Sequence, residues 1–354
     1  MKNKVFVAIS GGVDSAVSAK LLQEQGYEVT GVFMKNWSDE SYGIGNSCPW
    51  ETDLQDTIEI CKTLGIEHKS YNFEKEYREN VLNNFFEEYS KGNTPNPDVL
   101  CNKHIKFDSF LRKSLEQGAD YIATGHYSKT KNGKLFKAKD PNKDQTYFLH
   151  QLSKEQLERS VFPLGNLTKD EVRKLARKFK LPVAEKKDSQ GLCFVGEVDI
   201  KEFIKSKLKE KKGKIIDYDS SKIVGKHNGV WFYTIGQRHG IKVGGTKEPY
   251  FVISKNVEEN IIYVVEGRNH PALWKKGMII KDFHTINPGY KWQNNNYSAT
   301  IRYRSPDKPI KFIQKGRKVY IEFQEPQWAP ALGQSLVVFN KNECVGGGIL
   351  TEIM

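Results

Sequence analysis

Ser10-Gly11-Gly12-Val13-Asp14-Ser15 places two glycines, two hydroxyls and a carboxylate between the apolar run Val5 to Ile9 and a helical pattern from Ala16 to Gln25. Glycines let the backbone turn tightly enough to aim its N–H groups at an anion, and the helix that follows adds its positive dipole end. Such a turn suits a nucleotide phosphate. A Walker loop reads G-x-x-x-x-G-K-[ST] and uses its own lysine on the terminal phosphates, but no lysine follows these glycines, so ordinary γ-phosphate transfer is not indicated. A Gly-Gly turn that merely caps a helix through Asp14 or Ser15 is the plainer alternative.

The second chemical stretch is Asn96-Pro97-Asp98-Val99-Leu100-Cys101-Asn102. Two prolines, at 95 and 97, predict a stiff loop that delivers Asp98 and Cys101 to the start of a helix over residues 103–117. A thiol at a helix start, followed by Lys103 and near His104, has its pKa drawn down from about 8.5 and becomes a nucleophile. A small buried residue at a helix start reads equally well. Cys193 stands in the polar turn Lys187-Asp188-Ser189-Gln190-Gly191-Leu192-Cys193-Phe194, where it could also fill core; only the fold could bring it to Cys101. The other cysteines are Cys48, Cys61 and Cys344. No pair has C-x-x-C or zinc spacing, and the odd count argues against a disulfide framework.

The elements that must position these groups alternate. Strands are predicted at residues 4–9, 28–34, 68–73 and 120–127, with helices between them, which makes a doubly wound parallel sheet. Gly125 and His126 end one of these strands, and Asn132-Gly133 marks a hairpin. Helices are predicted over 75–91, 153–160 and 169–180, the last begun by a Thr168/Glu171 capping box. Beyond the lysine-rich stretch 205–214 the pattern changes to short strands, including 229–233, 250–253, 261–265 and the alternating Ala299-Thr300-Ile301-Arg302-Tyr303-Arg304. We therefore expect an α/β domain over 1–205, a small β-domain over 206–270 and a barrel-like β-domain over 271–354.

Charge follows the same division. Residues 1–200 carry 29 Lys and Arg against 29 Asp and Glu, whereas residues 201–354 carry 26 against 14 and hold the whole net charge of +12. A basic β-rich half suits a polyanion such as nucleic acid, although solvated lysine-rich faces are common. No apolar run reaches the ~18 residues of a membrane span and the N-terminus is no signal peptide, so the expected location is the cytoplasm.

Ser10 to Ser15 resembles the pyrophosphate loop of the N-type ATP pyrophosphatases. Five further stretches extend the likeness along nearly the whole chain: Asn96-Pro97-Asp98 with Cys101-Asn102, Thr124-Gly125-His126-Tyr127, Lys143-Asp144-Gln145 with Tyr147-Phe148, Gly191-Leu192-Cys193-Phe194, and Thr234-Ile235-Gly236-Gln237-Arg238. Together they resemble the bacterial tRNA-specific 2-thiouridylases.

The resemblance implies an adenine nucleotide alpha hydrolase-like sheet and an ATP- and Mg²⁺-dependent sulfur insertion at C2 of the wobble uridine of tRNA Lys, Glu and Gln. It gives the ATP contacts to Ala8, Ile9, Ser10, Gly11, Gly12, Val13, Asp14, Ser15, Met34 and Gly125, with Asp14 also near Mg²⁺. Asn96, Pro97 and Asp98 match target-base contacts. His126, Lys143, Asp144, Gln145, Arg302, Tyr303 and Gln334 match tRNA contacts. Cys193 matches the persulfide carrier and Cys101 the nucleophile that resolves it, leaving a Cys101–Cys193 disulfide for an outside reductant. Sulfur would come from a cysteine desulfurase or a relay protein. Asp98 suits general acid/base work if burial raises its pKa, and the base must leave its stack to reach the site. Some related sulfur transferases hold an iron–sulfur cluster on C-x-x-C; here Asn102, Lys103 and His104 follow Cys101, so those ligands are missing.

Two other readings compete. A ligase in which an amine attacks the adenylate would keep its activity without Cys101 and Cys193. An RNA-binding protein with ATP as a structural ligand would release neither AMP nor pyrophosphate.

Overall fold

The computed structural model describes residues 2–38, 50–187, 200–241, 243–245, 247–292 and 296–354. β1 (Lys4–Ala8) is an unbroken apolar run because both of its faces are covered: Phe6 and Ala8 enter one core cluster, Val5 and Val7 the other. Beside it lie β2 (Glu28–Lys35), β3 (Glu67–Asn72) and β4 (Tyr121–Ala123). A hairpin, β5 (Lys129–Lys131) and β6 (Lys134–Phe136), leads to β7 (Ser160–Val161). The sheet runs β3-β2-β1-β4-β7 and every pairing is parallel. Its order reverses between β1 and β4, so the loops leaving those two strands open the crevice in which such sheets bind ligands.

The helices are α1 (Val13–Glu24), α2 (Trp50–Leu64), α3 (Glu74–Tyr77), α4 (Asn83–Ser90), α5 (Pro97–Cys101), α6 (Phe110–Glu116), α7 (Lys154–Glu158), α8 (Lys169–Lys178) and α9 (Ile200–Lys205). The helix predicted over 75–91 is divided by a π-helical turn, Arg78–Leu82. None of the described helices is long and apolar enough to cross a membrane.

Two β-structures follow, as the sequence predicts. β8 (Gly213–Asp217), β9 (Ile223–His227), β10 (Tyr250–Asn256) and β11 (Ile261–Glu266) form a sheet in the order β10-β11-β8-β9. The last body contains β12 (Trp274–Lys281), β13 (His284–Thr285), β14 (Tyr297–Thr300), β15 (Lys308–Lys315), β16 (Lys318–Trp328), β17 (Ser335–Asn340) and β18 (Glu343–Ile353). Its path β12-β16-β15-β14-β17-β18 closes into a barrel because β12 also pairs with β18. The β5–β6 hairpin extends this barrel, with Phe136 opposite Glu343, and so ties it to the nucleotide-type domain.

One predicted strand is not a strand, and another ends early. Val230–Phe232 is a 3₁₀ turn whose Trp231 and Phe232 wedge against two core clusters instead of alternating across a sheet. The run from Ala299 to Arg304 leaves β14 at Thr300, whose hydroxyl oxygen lies 3.0 Å from the Arg302 carbonyl and 3.1 Å from that of Ser305. A threonine hydroxyl that bonds local backbone in this way competes with the ladder and closes a turn.

Candidate active site

The loop after β1 is built from both sides of the crevice. Gly11 has φ +67°, and a Cβ there would lie 2.9 Å from the Asp53 carbonyl oxygen. Gly125, just past β4, faces the other side: a Cβ there would lie 2.9 Å from the Ser15 nitrogen and 3.0 Å from the Asp14 carbonyl carbon. Both positions need glycine because backbone passes within contact distance. Inside the loop, the Ser15 hydroxyl donates to the Gly12 carbonyl at 3.0 Å, and the Ser10 N–H donates to Ser15 Oγ at 3.3 Å. Gly12 caps α1 without a side chain, so no capping side chain occupies the helix start. That leaves a backbone cradle of the kind that receives phosphate. Met34 is buried near the end of β2, the neighbouring strand.

Asp98 and Cys101 sit differently from the sequence expectation. The helix begins at Pro97, not at Lys103: Asn96 is its N-cap and accepts from the Val99 N–H at 3.4 Å. Proline is favoured at the first helical position because its missing N–H costs nothing there. Asp98 therefore lies in the first turn, and Cys101 ends α5, fully buried. Directly after Cys101 the chain is π-helical over Asn102–Ser109 before α6 resumes. Such wide turns are rare and concentrate at functional sites. Asn102, 2 % exposed, donates to the Phe148 carbonyl at 3.2 Å, while its own side-chain oxygen is buried without a hydrogen-bond partner.

His126 connects the two stretches. Its Nδ1 lies 2.7 Å from Thr124 Oγ1, and its ring packs 5.9 Å from Phe107 of the π-helical segment. Burial, helped by the nearby Lys106 charge, holds its pKa well below the ordinary imidazole value, so the ring is neutral near pH 7.

The barrel closes on the loop before α5. Thr94 N–H donates to the Leu332 carbonyl at 2.8 Å, and the Gln334 amide donates to the Thr94 carbonyl at 2.7 Å. Tyr147 donates to the Ser335 carbonyl at 3.0 Å. Tyr303 packs 4.4 Å from Phe148, and Arg302 donates to the Ala329 carbonyl at 3.0 Å. Asp144 Oδ1 accepts from Ala138 N–H at 2.9 Å and from the Thr146 hydroxyl at 2.6 Å, while the Gln145 side chain accepts from Tyr127 N–H at 3.0 Å. Lys143 N–H donates to the Asp140 carbonyl at 3.2 Å. Residues 332–334 and Phe148 thus meet the chain at Thr94 to Asn102, with Tyr303 packed behind Phe148, whereas the bonds of Lys143, Asp144, Gln145 and Arg302 run to other residues.

A family model described as "tRNA methyl transferase HUP domain" matches residues 3–197. Others, described as "tRNA methyl transferase PRC-barrel domain" and "Aminomethyltransferase beta-barrel domain", match 201–266 and 275–350. The tRNA-specific 2-thiouridylase MnmA of Methylobacillus flagellatus is 47% identical, with 100% of both chains covered. That of Halalkalibacterium halodurans is 46% identical over 100% of this chain and 96% of its own. The chain belongs to the tRNA-specific 2-thiouridylase family. Cys193 and Cys48 lie outside the described residues. Cys61 and Cys344 are buried thiols whose pKa burial raises, to about 11 for Cys61.

For a member of this family, the loop accommodates a nucleotide: glycine cradle, uncapped helix start and switch-point crevice coincide. A Mg²⁺ ion fits only through the nucleotide. Among the described residues no cluster of three or more acidic, histidine or cysteine side chains could hold a metal alone, whereas one carboxylate, Asp14, suits an ion ligated mainly by phosphate and water.

Sequence reasoning missed three residues at the loop. Tyr127 and Lys169 both donate to Asp14 Oδ1, at 2.9 and 2.7 Å. Lys186 donates to the Gly11 carbonyl at 3.1 Å, to Asp53 at 2.9 Å and to Asp56 at 2.6 Å. Burial opposes the Lys186 charge, but its bonds to Asp56 and Asp53 outweigh burial and raise its pKa. Because a peptide's C=O and N–H point in opposite directions, tethering the Gly11 carbonyl to Lys186 turns the Gly12 N–H away, toward the cradle. No local spacing signals these contacts; their partners lie far away in the chain. Lys186→Met should lower the melting temperature by about 2–4 °C and weaken ATP binding, with Lys186→Arg recovering most of both; thermal unfolding and calorimetric titration check it.

Proposed function

We propose that this chain replaces the 2-oxygen of the wobble uridine in tRNA Lys, Glu and Gln with sulfur, using ATP and Mg²⁺. End-to-end kinship with tRNA-specific 2-thiouridylases carries the reading. The barrel's contacts with Thr94 and Pro95, next to the Asn96 to Cys101 helix start, support it. The family models' descriptions speak of methyl transfer, but the relatives matched over their whole length are named for thiolation, and the sequence offers cysteines for it.

The uridine carbonyl is a poor electrophile, so its oxygen is first adenylated, with pyrophosphate leaving. The backbone from Ala8 to Ser15, with Met34 and Gly125, holds the nucleotide, and Asp14 would hold Mg²⁺, whose charge would offset that of the phosphates. Asn96, Pro97 and Asp98 hold the extruded base. His126, Lys143, Asp144, Gln145, Arg302, Tyr303 and Gln334 form the surrounding tRNA contacts. Cys193 arrives as a persulfide, loaded by a desulfurase or relay protein, and its outer sulfur forms the bond to C2 as AMP departs. Cys101 thiolate then attacks the Cys193 sulfur; the old S–S bond breaks, the outer sulfur remains on the uridine, and a Cys101–Cys193 disulfide forms. Two electrons from a reductant restore the thiols.

The reading is tested by following ATP with and without tRNA. Pyrophosphate should form only when tRNA carrying the target uridine is added, and free AMP only when a sulfur source is present as well. Pyrophosphate release without tRNA, or none with it, would remove the adenylation step.

A further inference from the structure

The proposed reaction leaves the stretch Thr234 to Arg238 without a role, and the fold builds its turn against a single side chain. Gly236 has φ +85°, and a Cβ there would lie 2.8 Å from Ala329 Cβ and 3.0 Å from the Trp328 ring. The Gln237 side chain holds the turn from both ends, accepting from Thr234 N–H at 3.0 Å and donating to the His239 carbonyl at 2.8 Å. The small β-domain thus seats Trp328, the last residue of β16.

Trp328 in turn carries two guanidiniums, one from each β-domain. Arg268, exposed just after β11, lies 5.1 Å from the ring centroid, and Arg302, half-buried in the turn after β14, lies 5.7 Å from it. The indole N–H donates to the Arg268 carbonyl at 3.1 Å and so fixes the ring to the backbone of that residue. Among the described residues neither guanidinium is ion-paired with a carboxylate, unlike Arg177 and Arg317. Burial disfavours the Arg302 charge, and Tyr147 offsets this only in part.

An aromatic face attracts each cation, but two cations on one ring repel each other. An anion from outside complements both. Residues 201–354 hold the whole net charge of +12, so the surrounding field favours a polyanion over an isolated ion.

We infer that Arg268, held beside Arg302 by Trp328, binds a backbone phosphate of the tRNA, so that the small β-domain grips the same stretch of RNA as the barrel. This rests on the tRNA reading above, in which Arg302 is a tRNA contact. A guanidinium presents paired donors to phosphate oxygens, and the shared ring keeps both within reach of one strand. Trp328 is the positioning residue.

The test is the salt dependence of binding. Dissociation constants for unmodified tRNA Lys are measured by fluorescence anisotropy over a series of salt concentrations at fixed Mg²⁺, for wild type, Arg268→Gln, Arg268→Lys and Trp328→Leu, with melting temperatures alongside. Arg268→Gln should flatten the slope of log Kd against log salt by about 0.7–0.9, the share of one phosphate contact, and leave the melting temperature unchanged. Arg268→Lys keeps the charge and should keep the slope. Trp328→Leu should flatten it at least as much as Arg268→Gln; if that variant does not fold, the two Arg268 variants decide. A slope that falls in Arg268→Gln by less than half of one such contact overturns the inference and leaves Trp328 a joint between the β-domains. A wild-type protein that binds no tRNA refutes the tRNA reading itself, and the inference with it.

Discussion

Replacing Cys101 with serine should abolish sulfur transfer while leaving the fold and nucleotide binding intact. In the proposed mechanism its thiol opens the S–S bond of the Cys193 persulfide, and a hydroxyl cannot form the resulting disulfide. Transfer should fall by at least about a thousandfold. The change is sterically mild, since serine has nearly the same shape, although Cys101 is fully buried at the end of α5. AMP formation in the presence of tRNA and a sulfur source should persist, because in the proposed mechanism AMP departs before Cys101 acts. Single-turnover assays that score AMP and thiolated tRNA separately check both halves. An unchanged thiolation rate would return Cys101 to the role of core filler.

Gly125→Ala should disable the nucleotide site. The added methyl would meet the Ser15 nitrogen at 2.9 Å, the Asp14 carbonyl carbon at 3.0 Å and Asp14 Cβ at 3.2 Å. Two of these are backbone atoms at the start of α1, so relief requires the cradle itself to move. Overpacking of this kind costs about 1–3 kcal/mol, and the displaced N–H groups should weaken ATP binding by about tenfold or more. Calorimetric titration with Mg-ATP reads the second effect and thermal unfolding the first. Wild-type affinity would mean that ATP does not lie between Gly125 and the loop.

These two residues mark what could be read in advance. Gly11, Gly12 and Asp14 are legible because strand, glycine turn and helix are contiguous, and the unbroken apolar runs within β1 and β2 are those of strands buried on both faces. Gly125 was legible as a glycine at a strand end, but its closeness to Asp14 and Ser15 depends on β1 and β4 being neighbours. The helix carrying Cys101 was placed too late because Pro97 was taken to prevent a helix; at the first position it begins one. The π-helical stretch Asn102–Ser109 has no sequence period to announce it. Arg302 and Tyr303 were read on a strand, whereas the Thr300 hydroxyl closes a turn there. Lys169 and Lys186 carry no local signal because a long polar side chain reaching another element leaves no pattern in its own, and Tyr127, though it stands in a legible stretch, reaches Asp14 only through the fold.

The central claim is sulfur transfer to tRNA uridine through two cysteines. Its most direct test is mass spectrometry of nucleosides from tRNA incubated with the protein, Mg-ATP and a sulfur source, comparing wild type with Cys101→Ser and Cys193→Ser. Wild type should exchange one oxygen of the wobble uridine for sulfur, and neither variant should do so. Thiolation by both variants, or wild-type AMP release with no sulfur gained, would contradict the account.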